Sequence, residues 1–239
     1  SYRGILTGLN EAFVVDRATR DALIAAHPSS AEVLKPFVRG RDVKRWTINY
    51  QDIWLIFTRR GIDIKEYPAI HEYLSKYKER LKPGIPGGRK AGNYKWYEIQ
   101  DNIAYWQEFE QPKIIYPDIA SRLEFAFDDN QLFPDCTLFL IPETSLHLIG
   151  ILNSSTVKFF FPQICPKVRG DFMRFKSIYV SQIPIPIAPE SEKQAISALV
   201  QNCLDAKGQG VAQWEAEIDE RVARLYGLTA EDLQIIRGK

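Results

Sequence analysis

The sequence predicts an α+β fold, a mixed-sheet body with peripheral helices that ends in a C-terminal helical hairpin. Three observations predict it. Short runs of β-branched and aromatic residues recur through residues 1–186, helical spacings are interleaved among them, and after "IPIPIAP" (183–189) only helical periodicity remains. The expected division is therefore a body over 1–186 and a helical segment over 187–239.

Residues 2–15 mix β-formers with Gly4, Gly8 and Asn10 and read as two short strands around a turn. "DRATRDALIAAH" sets Ala18, Ala22, Leu23 and Ala26 at helical spacing behind Asp16 as N-cap. "SSAEVLKPFV" reads as a second short helix, and "DIWLIFT" as a buried strand. "PAIHEYLSKYKERL" (68–81) has proline in the first turn and Ile70, Leu74, Tyr77 and Leu81 on one face. The next fourteen residues, "KPGIPGGRKAGNYK", hold four glycines and two prolines and read as a mobile loop. "KIIYPDIA", "EFAFDD", "CTLFLIP" and "FMRFKSIYV" read as strands, and "SLHLIGILNSSTVKFFFPQI" as a helix broken near Asn153 to Ser155.

The prolines of 183–189 require extended chain. Beyond them Ile196, Leu199, Val200, Cys203 and Leu204 form one helical stripe. Val211, Trp214, Ile218, Val222 and Leu225 form a narrower seam, and Thr229 can cap a last turn.

Composition excludes several classes. The 239 residues are 45% apolar and 26% charged, with a net charge of +1, so bulk charge names no polyanionic partner. Distribution is more telling: Lys35 to Lys95 carries fifteen bases against six acids, whereas Pro189 onward carries six against nine. Three widely spaced cysteines argue against a disulfide scaffold or a zinc site and for a reducing compartment. No apolar run reaches the roughly 18 residues of a spanning helix and the N-terminus has no signal pattern, so a cytoplasmic protein without a membrane partner is expected. The abrupt entry into a strand-like run reads as a piece of a longer protein.

No catalytic pattern emerges. His27, His71 and His147 are scattered without ligand spacing, and no GxSxG elbow is present. "GIPGGRKAG" fails as a phosphate loop because Lys90 precedes Ala91 rather than Ser or Thr. Asp118 and Glu124 evoke a nuclease site, but Ala126 stands where its lysine would be, and no NPPY-type tetrapeptide is present. Neither a catalytic residue, a metal site nor a cofactor is expected in this chain.

Two segments combine cations with aromatics. "KPFVRGRDVKRW" gathers Lys35, Arg39, Arg41, Lys44 and Arg45 around Asp42, and "CPKVRGDFMRFKSIYV" gathers Lys167, Arg169, Arg174 and Lys176 around Asp171. In an extended chain Phe172, Arg174 and Lys176 face one way, and Asp171, Met173 and Phe175 the other. Such a strand can present donors to guanine edges or phosphates, or it can be a half-solvated edge whose charges discourage aggregation.

Taken in order, "GILTGLNEAFVVDRATRDALI", "LKPFVRGRDVKRW", "WLIFTRRGIDIKEYPAIHEYLSKYKERL", "KWYEIQDNIAYWQEFEQPKIIYPDIA", "LIGILNSSTVKFFFPQI", "RGDFMRFKSIYVSQIPIP" and "EIDERVARLYGLTAED" resemble the C-terminal target-recognition domain of TaqI-like adenine-N6 DNA methyltransferases and type IIG restriction-modification enzymes. The resemblance implies a non-catalytic module that reads a short double-stranded DNA sequence, largely through the major groove, beside a methyltransferase domain of the same parent chain. That parent would use S-adenosylmethionine to methylate a flipped adenine, and Mg²⁺ as well if it also cleaves. Carried onto this chain, it makes Arg169, Asp171, Met173, Arg174 and Lys176 candidates for base contact. Arg39, Arg41, Lys44 and Arg45 become candidates for phosphate contact, and Asp42 and Trp46 for structural duty. Arg89 and Lys90 are weaker phosphate candidates, because the loop 83–93 departs from the family in length and composition. A competing reading, from a different class, is an interaction module that docks partners through its C-terminal helices.

Overall fold

The strand Lys113–Pro117 is buried along its whole length because it separates two hydrophobic cores. Alternate side chains of a strand point to opposite faces, and here Ile115 joins one core while Ile114 and Tyr116 join the other. Its antiparallel neighbour Leu138–Ile141 behaves the same way, sending Leu138 and Leu140 to the first core and Phe139 and Ile141 toward the second. A strand covered on both faces has no solvent side to alternate with, which is why "KIIYP" and "LFLI" read as continuous apolar runs.

The computed structural model describes residues 1–238; Lys239, the last residue of the expected C-terminal segment, lies outside them. The α+β class holds. The partition sheet is fully antiparallel, in the order Tyr2–Arg3, Leu138–Ile141, Lys113–Pro117, Ala126–Asp128. A second, mixed sheet runs Phe133–Pro134, Leu34–Val38, Ile53–Ile56, Val14–Asp16, with only its first pair parallel. Three short strands, Lys167–Arg169, Phe172–Arg174 and Ile119–Ala120, make a third sheet, and Val43–Lys44 pairs with Thr47–Ile48.

The first core lies around the mixed sheet, with Leu23 of the helix Arg17–Ala26 and Ile70 and Leu74 of the helix Pro68–Ser75 packed into it. Asp16 caps the former as expected, accepting from Thr19 N at 2.8 Å. The second core takes residues from both sides of position 187. Ile149 and Leu152 of the helix Leu146–Leu152 and Phe161 and Phe175 meet Ile196, Val200 and Cys203 of the helix Glu190–Asp205 and Ile218 and Val222 of the helix Ala212–Leu225. The Phe161 and Phe175 rings stack at 4.6 Å, a geometry worth about 0.5–1.5 kcal/mol beyond area burial. Thr229 caps the last helix, Ala230–Arg237, in a reciprocal box with Asp232.

Four local expectations are corrected. The helix read over 29–38 is confined to Ser30–Val33, because Pro36 holds its predecessor extended and Leu34 to Phe37 pair with Ile56 to Ile53. The helix of 68–81 stops at Ser75 and restarts at Lys78–Leu81, a break that places Leu81 fully in the core. Asn10–Phe13, read as part of a strand pair, is a helical turn. The strand read over 172–180 ends at Arg174, and Ser177–Val180 is helical, with Lys176 O accepting from Tyr179 N and Val180 N.

Candidate nucleic-acid interface

The first basic block is built on a turn that needs glycine. Gly40 begins a 3₁₀ turn, Gly40–Asp42, and donates its N–H to Thr137 Oγ1 at 3.0 Å. A Cβ at Gly40 would stand 2.6 Å from that hydroxyl and 3.2 Å from the Thr137 carbonyl oxygen, so any side chain here would have to displace Thr137. Asp42 is buried beneath the turn. It accepts from Arg39 N at 3.1 Å and lies 3.8 Å from Arg39 Nε and 3.9 Å from Arg41 Nε. One buried carboxylate thus sets the direction of two cations. Arg41 remains the freer of them, with 71% of its side chain exposed.

The second block is a two-stranded ribbon. Lys167–Arg169 pairs with Phe172–Arg174 across a Gly170–Asp171 turn, in which Gly170 takes φ 56°, the left-handed backbone required at the first position of a two-residue hairpin loop. The ladder slips by one residue at Val168, which twists the ribbon locally. The inner strand is pinned to the body through Met173↔Ala120 and Arg174↔Ile119, and by Phe175 N donating to Asp118 O at 2.7 Å.

These blocks, some 130 residues apart in sequence, border one open cleft of about 1570 Å³. Arg39, Arg41 and Lys44 line it from one side and Lys167, Asp171, Phe172 and Met173 from the other. Three further cations complete the lining: Arg3 from the first strand, Arg122 from the turn after Ala120, and Lys158 from the helix Ser155–Phe160. Seven cationic side chains face four acidic ones there, Asp118, Glu124, Asp135 and Asp171. Two of the acids hold cations in place: Glu124 Oε1 lies 3.3 Å from Arg122 Nε and 3.6 Å from Lys44 Nζ, and Asp118 Oδ2 lies 3.6 Å from Arg174 Nη1. Burial pushes the Asp135 carboxyl upward, against hydrogen bonds from the Thr137 hydroxyl and amide that lower it.

Lys158 owes its place to a helix break. Asn153 exchanges two hydrogen bonds with the Phe125 backbone, at 2.8 and 3.1 Å, and the next helix begins with Ser155 N donating to Asp219 Oδ1 at 2.8 Å. Arg3, Arg122 and Lys158 were missed because each stands alone in sequence; the only signal, a lone base beside a turn or on a helix, is common to any soluble surface.

The structure corrects three of the expected contact residues. Arg89 is 2% exposed and donates to the carbonyls of Leu81 and Trp96, each at 3.0 Å, and to Glu98 O. Burial lowers its guanidinium to about 10. It holds the glycine-rich loop closed from inside, where a phosphate has no access; the exposed Lys90 beside it does not line the cleft. Met173 is 7% exposed and belongs to the second core, because alternation turns it inward and Phe172 outward. Arg45 is a strut: it donates to Asn153 O at 2.8 Å and pairs with Glu215 Oε1 at 3.1 Å. Arg169 is exposed beside the ribbon turn and Lys176 beyond the strand's end; with Arg174 they stand outside the cleft lining.

Comparison with known proteins places this architecture. Over 98% of its length the chain is 27% identical to the type II methyltransferase M.BstVI of Geobacillus stearothermophilus and 25% identical to M.PaeR7I of Pseudomonas aeruginosa. It spans 40% and 39% of those two proteins. The whole chain superposes on 35% of MmeI, a type IIL restriction-modification enzyme solved in complex with DNA, with a TM-score of 0.68 at 18% identity, which establishes a common fold. Residues 35–185 match the family model of the TaqI-like C-terminal specificity domain, and the chain belongs to that family.

Proposed function

We propose that this chain reads a short sequence in double-stranded DNA as the specificity domain of a restriction-modification methyltransferase. The observation that carries the reading is the cleft itself, in which the 3₁₀ turn bearing Arg39 and Arg41 and the ribbon bearing Lys167 and Asp171 converge. B-DNA's major groove admits a two-stranded ribbon, and phosphates flanking a groove attract cations placed beside it. Arg39, Arg41, Lys44, Arg122 and Lys158 suit phosphate contact. Arg169, Asp171, Arg174 and Lys176, on or just beyond the ribbon, suit base edges, with Arg174 first releasing Asp118.

Catalysis belongs, in this reading, to a methyltransferase domain of the same cytoplasmic parent chain. Adenine-N6 transfer from S-adenosylmethionine, and Mg²⁺-dependent cleavage if the parent also cuts DNA, take place there. A second reading has one specific support. Ile187 and Ile235 on the C-terminal segment, and Ile185 just before it, are 98%, 55% and 44% exposed, a composition suited to docking another protein domain.

Selection from a randomised duplex library at physiological salt tests the proposal. Enrichment of a motif of a few base pairs supports it. Retention that falls steeply with salt without enrichment leaves only backbone affinity, and absence of any retained duplex favours the docking reading.

A further inference from the structure

The ribbon carries an apolar surface in a place where charge would be expected. Phe172 is 50% exposed, Val168 in the adjoining strand is 47% exposed, and Ile119 in the strand beyond is 42% exposed. Ile119 pairs with Arg174, and Arg174 shares the face of Phe172 by the period of two, so Ile119 and Phe172 occupy the same outer face of this three-stranded sheet. The inner face is spoken for by Met173, whose side chain fills the second core. Phe172 and Ile119 both line the cleft, together with Arg41, Lys44 and Lys167. An aromatic ring left half in water, on a strand already secured by its buried neighbour, adds nothing to the fold that requires its exposure.

The cations around it select a polyanion, and the ring selects what that polyanion must show. In a DNA duplex the one apolar group that carries sequence information is the thymine methyl, presented in the major groove. Resting on the reading of this cleft as a DNA interface, we propose that Phe172 is a specificity residue that packs its ring against a thymine methyl, with Ile119 widening the apolar contact. Phe172 opens a strand that is pinned to the body and shares its face with Ile119 of the adjoining strand, a surface suited to lateral packing on a base edge rather than to insertion between base pairs. Asp171, next in the chain and also in the cleft, stands where it can accept from an adenine or cytosine amino group beside that thymine.

The test uses the 239-residue chain and the duplex enriched by selection. Each thymine is replaced in turn by deoxyuridine, which removes one methyl and leaves the pairing intact, and binding is measured for the native chain, Phe172→Ala and Phe172→Leu. The expected result is a single position at which uracil weakens the native chain roughly fourfold, the worth of one buried methyl. Phe172→Ala is indifferent to uracil at that position, and Phe172→Leu lies between. Equal thermal unfolding of the three proteins separates this from loss of fold. Indifference of the native chain to uracil everywhere, or a selected motif with no A·T pair, overturns the assignment while leaving DNA recognition standing. Absence of any retained duplex sinks both.

Discussion

The indole Nε1 of Trp46 donates to Glu215 Oε1 at 2.6 Å, joining residues 169 apart in sequence. Trp46 closes the two-residue loop between Lys44 and Thr47 with φ 69°, a left-handed backbone that a bulky residue adopts only when its surroundings hold it. The same carboxylate pairs with Arg45, so a C-terminal helix fixes the end of the basic block at the cleft. Glu215→Ala is expected to destabilise the chain by about 1–3 kcal/mol, since it strands a buried indole donor and a guanidinium together. Glu215→Gln, which keeps an acceptor oxygen, recovers part of that loss in urea denaturation.

Cations of the cleft and the buried cation of the loop have separable signatures. Arg41→Ala and Lys158→Ala are each expected to weaken all duplexes alike and to reduce the slope of log affinity against log salt by about 0.9. Arg89→Ala is expected to leave that slope unchanged and to lower the unfolding temperature, because three carbonyls lose their donor. A lowered salt slope in Arg89→Ala would return it to the phosphate-binding set.

Lys113 and Asp128 are both fully buried, with Nζ 2.5 Å from Oδ2, and burial holds the Lys113 ammonium below its ordinary range. Removing one partner of such a pair costs about 3–5 kcal/mol. Asp128→Ala is expected to reach that range, since it also frees the amides of Asn130 and Leu132. Lys113→Met is expected to lose less, because those two amides still stabilise the carboxylate. Equal losses in chemical denaturation would show that the amide contacts contribute nothing.

The Asp135 carboxyl is raised above its usual 3.8 by burial. Between the unfolded and folded values the native state holds more protons than the unfolded one, so this group's contribution is full below the unfolded value and is lost as pH rises through the folded value. Asp135→Asn keeps an acceptor for Thr137 and does not ionise. Its stability relative to the native chain is expected to climb as pH is raised from about 3 to 7. A flat difference across that interval would refute the assignment.

By itself the sequence determined whatever depends on spacing or on one residue's chemistry. The Asp16 and Thr229 caps, the proline start at 68 and the helical stripe through Ile196 and Val200 are local decisions, legible because a cap or a period acts within a turn or two. The ordered blocks likewise carried the family resemblance, and the two basic segments were visible as candidates. Tertiary structure alone decided the rest. Pro36 entered a strand because Ile53–Ile56 offered it pairing, and Arg89 went inside because Leu81, Trp96 and Glu98 turn their carbonyls toward one point. Arg39 and Lys167 met across one cleft, joined by isolated cations such as Lys158. Charge carries no local period, so which bases share a surface is settled only when the partition sheet and the two cores have placed their elements.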